Sequence, residues 1–319
     1  MKLRIGTRGS RLARIQADRV ADLLRRHGHD VEILCISTAG DQEQHLPFHA
    51  IGPAGVFVRE IEAALLREEI DAAIHSYKDL PTESPDGLVV AAMPERVDAA
   101  DCLLIRPDAA AAGEGAIPVR QTARVGTGSA RRQALLCDLR SDLVAVPIRG
   151  NVPTRINKLR SQDFDAIVLA MAGLNRLRQS ADSDVAAGSA ADDLAGIVTH
   201  RLDPEVFVPA PSQGALAVQV RAADAQVRAA VEAIDAPAAR RQVEVERRLL
   251  ALVEGGCQVP VGAWCRSVER GELKLTAVLG IGQSLHRAES VGSDIDQIAE
   301  SAAQQLLRGA PASLVSDQA

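Results

Sequence analysis

Residues 3–28 read LRIGTRGSRLARIQADRVADLLRRHG, and the change of hydrophobic period inside this stretch decides the fold class. LRIGT has the short apolar character of a strand. From Ser10 onward, Leu12, Ile15, Val20, Leu23 and Leu24 fall near one helical face, with Ser10 placed as an N-cap and Gly28 as a stop. A strand followed at once by a helix is the building unit of a layered α/β fold.

The alternation continues outward. VEILCIS (31–37), DAAIH (71–75) and LVVAAM (88–93) read as strands and VFVREIEAALLREE (56–69) as a helix. Apolar strands alternating with helices predict a parallel-rich layered sheet. After ERVDAADCLLIRPDAAAAGEG (95–115), to which no element is assigned, the pattern restarts: strand ARVGTG (123–128), helix ARRQALLCDLR (130–140), strand LVAVPI (143–148), helix VPTRINKLR (152–160) and strand DAIVLA (165–170), leading into MAGLNRL (171–177). This predicts a second α/β domain. SADSDVAAGSAADDLAG (180–196) has the composition of an exposed excursion. From about residue 222 the texture changes to two helices, three alternating segments and a last helix, which predicts a small α+β domain with an antiparallel sheet. No internal repeat is visible.

Composition narrows the function classes. The 319 residues are 47% hydrophobic, enough for two or three domains with cores of their own. Aromatics are 2%, which disfavours base stacking, and the net charge of −6 argues against a general polyanion binder. The five cysteines, Cys35, Cys102, Cys137, Cys257 and Cys265, are odd in number and form no CxxC pair. That disfavours both a disulfide framework and a zinc site and fits a reducing compartment. With no apolar leader or spanning run, the expectation is a cytoplasmic protein without metal, nucleic-acid or membrane partners.

Polar clusters fall where α/β folds place their ligands, beyond the carboxyl ends of strands. They are GTRGS (6–10), HSYKD (75–79), GTGSARR (126–132) and RGNVPTR (149–155). In GTGSARR, Thr127, Ser129, Arg131 and Arg132 meet at a helix start, where unpaired N–H groups and the helix dipole favour an anion. Ser129 as a simple N-cap beside solvated arginines reads equally well. Arg8, Arg11, Arg149, Arg155 and Arg176 are further cationic candidates. Only four basic residues are lysines and thirty-two are arginines, so the adjacent Lys78 and Asp79 stand out. EGGCQVPVG (254–262) sets Cys257 after two glycines, as a tether or nucleophile requires, although a lone cysteine is more often a small buried hydrophobe.

These motifs resemble the porphobilinogen deaminase (hydroxymethylbilane synthase) family. RIGTRGSRLARIQA, HSYKDLP, VGTGSARRQ, RGNVPTRINKL, AGLNRL, PAPSQGALAVQVR and EGGCQVPVG occur in the family's order across nearly the whole chain. The resemblance implies two periplasmic-binding-protein-like α/β domains around a cleft, 1–95 with 206–221 and 98–200, and a third domain at 222–319. It implies a dipyrromethane cofactor held by a thioether to Cys257. Onto that primer four porphobilinogen units are condensed with loss of ammonia, before water releases the linear tetrapyrrole.

In this reading Asp79 is catalytic, and Lys78, Asp79, Thr127, Ser129, Arg131 and Arg132 hold the cofactor. Arg8, Ser10, Gln16, Ser76, Arg149, Arg155 and Arg176 hold substrate. Six rings carry about twelve carboxylates, each worth about 1 kcal/mol against a cation in water and about 4 kcal/mol at an effective dielectric near 20. Arginine's planar fork suits them. One departure is the family's lysine in a GKG loop, which is replaced by Ala54 in GPAGVF, with Arg59 as a partial substitute. The protein is expected to be a monomer. Two other readings are a bilobal anion binder without chemistry and a thiol enzyme using Cys257 with a base such as His75.

Overall fold

Strand β1 (Lys2–Arg8) pairs in parallel with β2 (Asp30–Ile36) on one side and β3 (Ala72–Ser76) on the other. The computed structural model describes residues 1–37, 58–111, 113, 115–183, 194–253 and 260–308. Helix α1 (Arg11–Arg26) follows β1 after two residues, its start capped by Ser10 Oγ, which accepts from Ala13 N at 3.3 Å. It ends before Gly28, whose φ of +83° suits glycine. The face α1 buries is Ala13, Gln16, Ala17, Val20, Ala21 and Leu24. Leu12 and Ile15, expected on that face, pack instead beside Leu177 of a distant helix, because the alanines let α1 lie close on the sheet and leave the longer side chains at its flank.

The first sheet has the order β2-β1-β3-β10-β4, where β4 is Leu88–Ala92 and β10 is Leu216–Arg221. β10 runs antiparallel to both neighbours. Ala72 and Ile74 meet α1 on one face, while Ala73 meets α2 (Arg59–Leu66) on the other, so apolar residues cover both sides.

The second sheet repeats this plan. Its order is β7 (Val144–Val146), β6 (Arg124–Gly126), β8 (Ala166–Ala170), β5 (Asp101–Ile105) and β9 (Val198–Arg201). β6 is parallel to β7 and β8, and β5 is antiparallel to β8 and β9. Helices α3 (Ala130–Leu139), α4 (Val152–Arg160) and α5 (Met171–Ser183) follow β6, β7 and β8. Both sheets are therefore mixed, where the sequence predicted parallel-rich ones. β5 and β9 had no predicted element: each pairs with strands far away in the chain, which no local pattern reports.

Each inserted antiparallel strand arrives from the other lobe. Residues 93–100 lead from β4 to β5 and residues 202–215 from β9 back to β10. The two crossovers touch: Arg96 bridges Ala215, and Val97 N donates to Gly214 O at 3.2 Å. Gly214 has φ +92°, and a Cβ there would lie 2.5 Å from Val97 O, so the contact requires glycine.

Helix α6 (Ala225–Glu232) lays Val227 and Val231 on the first sheet's core. Helices α7 (Pro237–Leu252) and α8 (Ile295–Leu306) cover one face of the antiparallel sheet β11 (Val261–Ser267), β12 (Leu273–Ile281) and β13 (Ser284–Gly292). Side chains alternate across it: Leu275, Ala277 and Leu279 face these helices, whereas Val278 joins the second lobe's core. The architecture is two α/β lobes, each built on a mixed five-stranded sheet of the same strand order, plus a small C-terminal antiparallel sheet. Among the described residues no helix is long and apolar enough to cross a membrane.

Candidate active site

The strand ends of both lobes open on one cavity of about 680 Å³. From the first lobe, Arg8 ends β1, Ser10 and Gln16 lie at the start of α1, Ser76 ends β3, and Lys78 and Asp79 sit on a single 3-10 turn, Tyr77–Asp79. From the second lobe come Arg132 of α3, Arg149 before α4, Arg155 within α4 and Arg176 of α5. With Arg11, the first residue of α1, eleven of the sequence-predicted residues thus share one cleft. Thr127, Ser129 and Arg131 do not line it. Buried Thr127 Oγ1 accepts from Ser129 N at 3.2 Å, and Ser129 Oγ caps α3 by accepting from Arg132 N at 3.5 Å. Gln16 Nε2 donates to Ser76 Oγ at 3.0 Å, tying α1 to the end of β3.

Two arginines converge on a carboxylate that the sequence did not single out. Asp101, at the start of β5 and fully buried, pairs with Arg131 at 2.8 Å and Arg132 at 2.7 Å. Arg131 Nη1 also donates to Val208 O and Arg132 Nη1 to Val168 O. Burial alone would raise the Asp101 carboxyl, but Arg131 and Arg132 outweigh it and hold it well below the usual carboxylate range. One carboxylate against two guanidiniums leaves a net positive charge at the wall of the cleft.

Gln213 joins the lobes at this point. Its Nε2 donates to Ala99 O at 2.8 Å and Asp101 Oδ1 at 2.9 Å, while its Oε1 accepts from Lys78 Nζ at 3.2 Å. Gln213 belongs to the quoted PAPSQGALAVQVR motif, but a glutamine on an irregular crossover has no local pattern that announces its partners. Lys78 is exposed to the cleft yet ringed by protein. Desolvation draws its ammonium down to about 8 against the pull of Asp79, and Arg132 adds to the lowering. Burial likewise draws Arg155 and Arg176 down to about 10, with Arg132 and Arg149 adding to it at Arg155. Crowded cations of this kind favour an anionic occupant.

Arg132 Nε and Arg176 Nε are buried and have no hydrogen-bond partner among the described residues. Two orphaned donors beside a cationic cavity fit a ligand that brings several carboxylates. Arg176 also donates from Nη2 to Gly214 O at 2.9 Å, so it braces a crossover as well as lining the cleft. Cys257, Ala54 and the rest of the GPAGVF stretch lie outside the described residues. His75, named with Cys257 in the thiol reading, is 5% exposed in the sheet, and burial pushes its imidazole down to about 4.

Comparison with known proteins gives a consistent outcome. A family model described as "Porphobilinogen deaminase, dipyromethane cofactor binding domain" matches residues 3–229, and one for the "Porphobilinogen deaminase, C-terminal domain" matches residues 240–307. The porphobilinogen deaminase of Rubrobacter xylanophilus is 41% identical over 312 residues, covering 97% of this chain and 95% of that protein. The porphobilinogen deaminase of Lachnospira eligens is 38% identical over 312 residues, covering 96% and 99%. A solved periplasmic substrate-binding protein of an ABC transporter from Coxiella burnetii is 15% identical, with a TM-score of 0.40 over 74% of this chain and 92% of that one, a likeness too weak to argue from. With two family models reaching from residue 3 to residue 307 and relatives aligned over nearly their whole length, the chain belongs to the porphobilinogen deaminase family.

Proposed function

We propose that this protein is a hydroxymethylbilane synthase, condensing four porphobilinogen molecules and releasing the linear tetrapyrrole with water. The observation that carries the reading is the pairing, in one cleft, of the Asp79 carboxylate with Arg8, Arg132, Arg149, Arg155 and Arg176. Many cations suit a substrate with many carboxylates, and one anion suits a reaction that develops positive charge.

A dipyrromethane held through Cys257 supplies, when bound, the nucleophilic ring carbon that starts the chain. Lys78 and Arg132 are placed to hold its carboxylates. Asp79 stabilises positive charge as the C–N bond of porphobilinogen's aminomethyl group breaks and ammonia leaves with the electron pair. One C–C bond forms in its place, and the ring proton displaced there leaves; Asp79 is placed to take it. Gln213 keeps Lys78 beside Asp79. Arg8, Arg149, Arg155 and Arg176, with Ser10, Gln16 and Ser76, bind the incoming unit and the growing chain. Thr127, Ser129 and Arg131 act from behind the wall, shaping the start of α3 and fixing Asp101.

The domain division 1–95 with 206–221, 98–200 and 222–319 is part of the same proposal. Within it the third domain's own core starts at α7, since the apolar residues of α6 lie in the first lobe. A cytoplasmic monomer acting on small molecules, without nucleic-acid or membrane partners, completes the reading and is supported by the low aromatic content and the net charge of −6. Intact-mass spectrometry of the denatured protein tests the function: an adduct of two pyrrole rings is expected and Cys257→Ala should abolish it. An unmodified mass in inactive native protein would overturn the reading in favour of a non-covalent anion binder, and an unmodified mass in active protein would overturn it in favour of another chemistry.

A further inference from the structure

We propose that Arg247, on α7 and outside the cleft, is a positioning residue that clamps the turn bearing Lys78 and Asp79. The proposal rests on the function proposed above. A lone 3-10 turn is weak by itself, and the described backbone bonds at its two ends are Tyr77 N to Ala215 O at 3.1 Å and Leu80 N to Tyr77 O at 3.2 Å. Tyr77 and Leu80 are buried in a small apolar cluster with Met93, Ala217 and Val243, yet the packing beside them is incomplete. A cavity of about 280 Å³ lies there, with Tyr77, Leu80, Pro81, Glu62 and Arg247 among its walls.

Arg247 reaches both ends of the turn. Its guanidinium carbon lies 4.4 Å from the centroid of the Tyr77 ring, the residue just before Lys78. Nη1 donates to Leu80 O at 3.4 Å and Nη2 donates to Pro81 O, the two residues just after Asp79. A planar guanidinium can stack through its face while donating through its edge, and a lysine ammonium cannot do both.

The other end of the clamp is anchored by the preceding residue. Glu246 is fully buried, accepts from Arg96 Nη1 at 2.7 Å and Nη2 at 3.0 Å, and accepts from Ser212 N and Cys265 N, each at 2.7 Å. One step of α7 therefore holds both crossovers through Glu246 and the catalytic turn through Arg247. The same helix ends at Leu252, five residues before Cys257. Arg247 thus ties the position of Asp79 to the helix that leads into the attachment segment.

Tyr77 is the only tyrosine in the chain, so protein labelled with fluorotyrosine gives one fluorine NMR signal that reports on the turn. In the holoenzyme, Arg247→Gln should keep the two-ring adduct by intact mass, shift or broaden the Tyr77 signal, and lower kcat about tenfold or more with KM within about twofold. Arg247→Lys should recover only part of kcat, since it restores charge without the fork. Wild-type kcat in Arg247→Gln would overturn the proposal, as would an unmoved Tyr77 signal with a rate loss that only tracks the folded fraction. If Arg247→Gln does not fold, Arg247→Lys is read alone, and wild-type kinetics there would be equally fatal. An adduct missing from the wild-type protein would break the functional reading instead, while the fluorine signal would still decide the clamp.

Discussion

The two lobes share one strand order and put opposite charge to use. At matching positions, the inserted strand of the first sheet begins with Leu216 opposite Ser76, and that of the second begins with Asp101 opposite Ala170. The second lobe buries its carboxylate to hold two arginines firmly. The first lobe has an apolar residue at that place and leaves its carboxylate, Asp79, exposed on a turn facing the cleft. A repeated backbone frame thus fixes where side chains are presented, and the residue at each strand end decides whether a carboxylate is buried among arginines or left facing the cleft.

The sharpest way to break this contrast is Asp101→Asn, which strips a buried ion cluster of its only anion among the described residues. It should lower stability by about 3–5 kcal/mol and empty the cleft of primer, as denaturant melts and intact mass would show. The pH behaviour has a definite sign. Because Asp101 is held below its ordinary range, its contribution is present above the unfolded carboxylate pKa of about 4 and fades as pH falls below it. The variant should lack that part of the acid-side loss.

Asp79→Asn is the counterpart in the first lobe. It should leave folding nearly unchanged, since the side chain is exposed, while raising the barrier by about 3 kcal/mol, or roughly a hundredfold in kcat. Wild-type turnover in this variant would erase the division of labour between the lobes.

Arginine substitutions sharpen the second lobe's part. Arg132→Leu, at the wall shared with Asp101, should yield mainly apo-protein. Arg149→Leu should load the primer and then stall with added units, losing about tenfold in overall rate, the scale of one charged hydrogen bond. Native mass spectrometry after limited substrate addition would separate the two, and one shared distribution of intermediates would refute staging. The smallest effect concerns Lys78. With its ammonium drawn down to about 8, KM should rise a few-fold as pH passes from about 8 to 9, and Lys78→Arg should move that rise to higher pH.

The strand-end clusters were legible because glycine, serine and arginine at a change of hydrophobic period mark a strand-to-helix turn locally. Eleven predicted residues accordingly line one cleft. What escaped was non-local. DCLLI looked like part of a connector because β5 pairs with β8 and β9 rather than with anything nearby. Asp101 and Gln213 act across separations of 30 to 135 residues. The α1 face was half right, since Leu12 and Ile15 answer to the other lobe. The repeat of strand order showed only as a restart of the strand–helix alternation and left no trace in residue identities, because topology constrains where apolar residues alternate and not which ones they are.

The exchange of antiparallel strands between lobes also sets an order of assembly. All five strands of the second sheet lie within residues 101–201, so that lobe holds its full complement while the ribosome is still at work. The first sheet cannot close until residues 216–221 emerge, more than a hundred positions after β4. Until then β3 and β4 each present an unpaired edge, and the nascent chain passes through a stage in which the strands of its second sheet are all present and its first sheet is open to wrong partners.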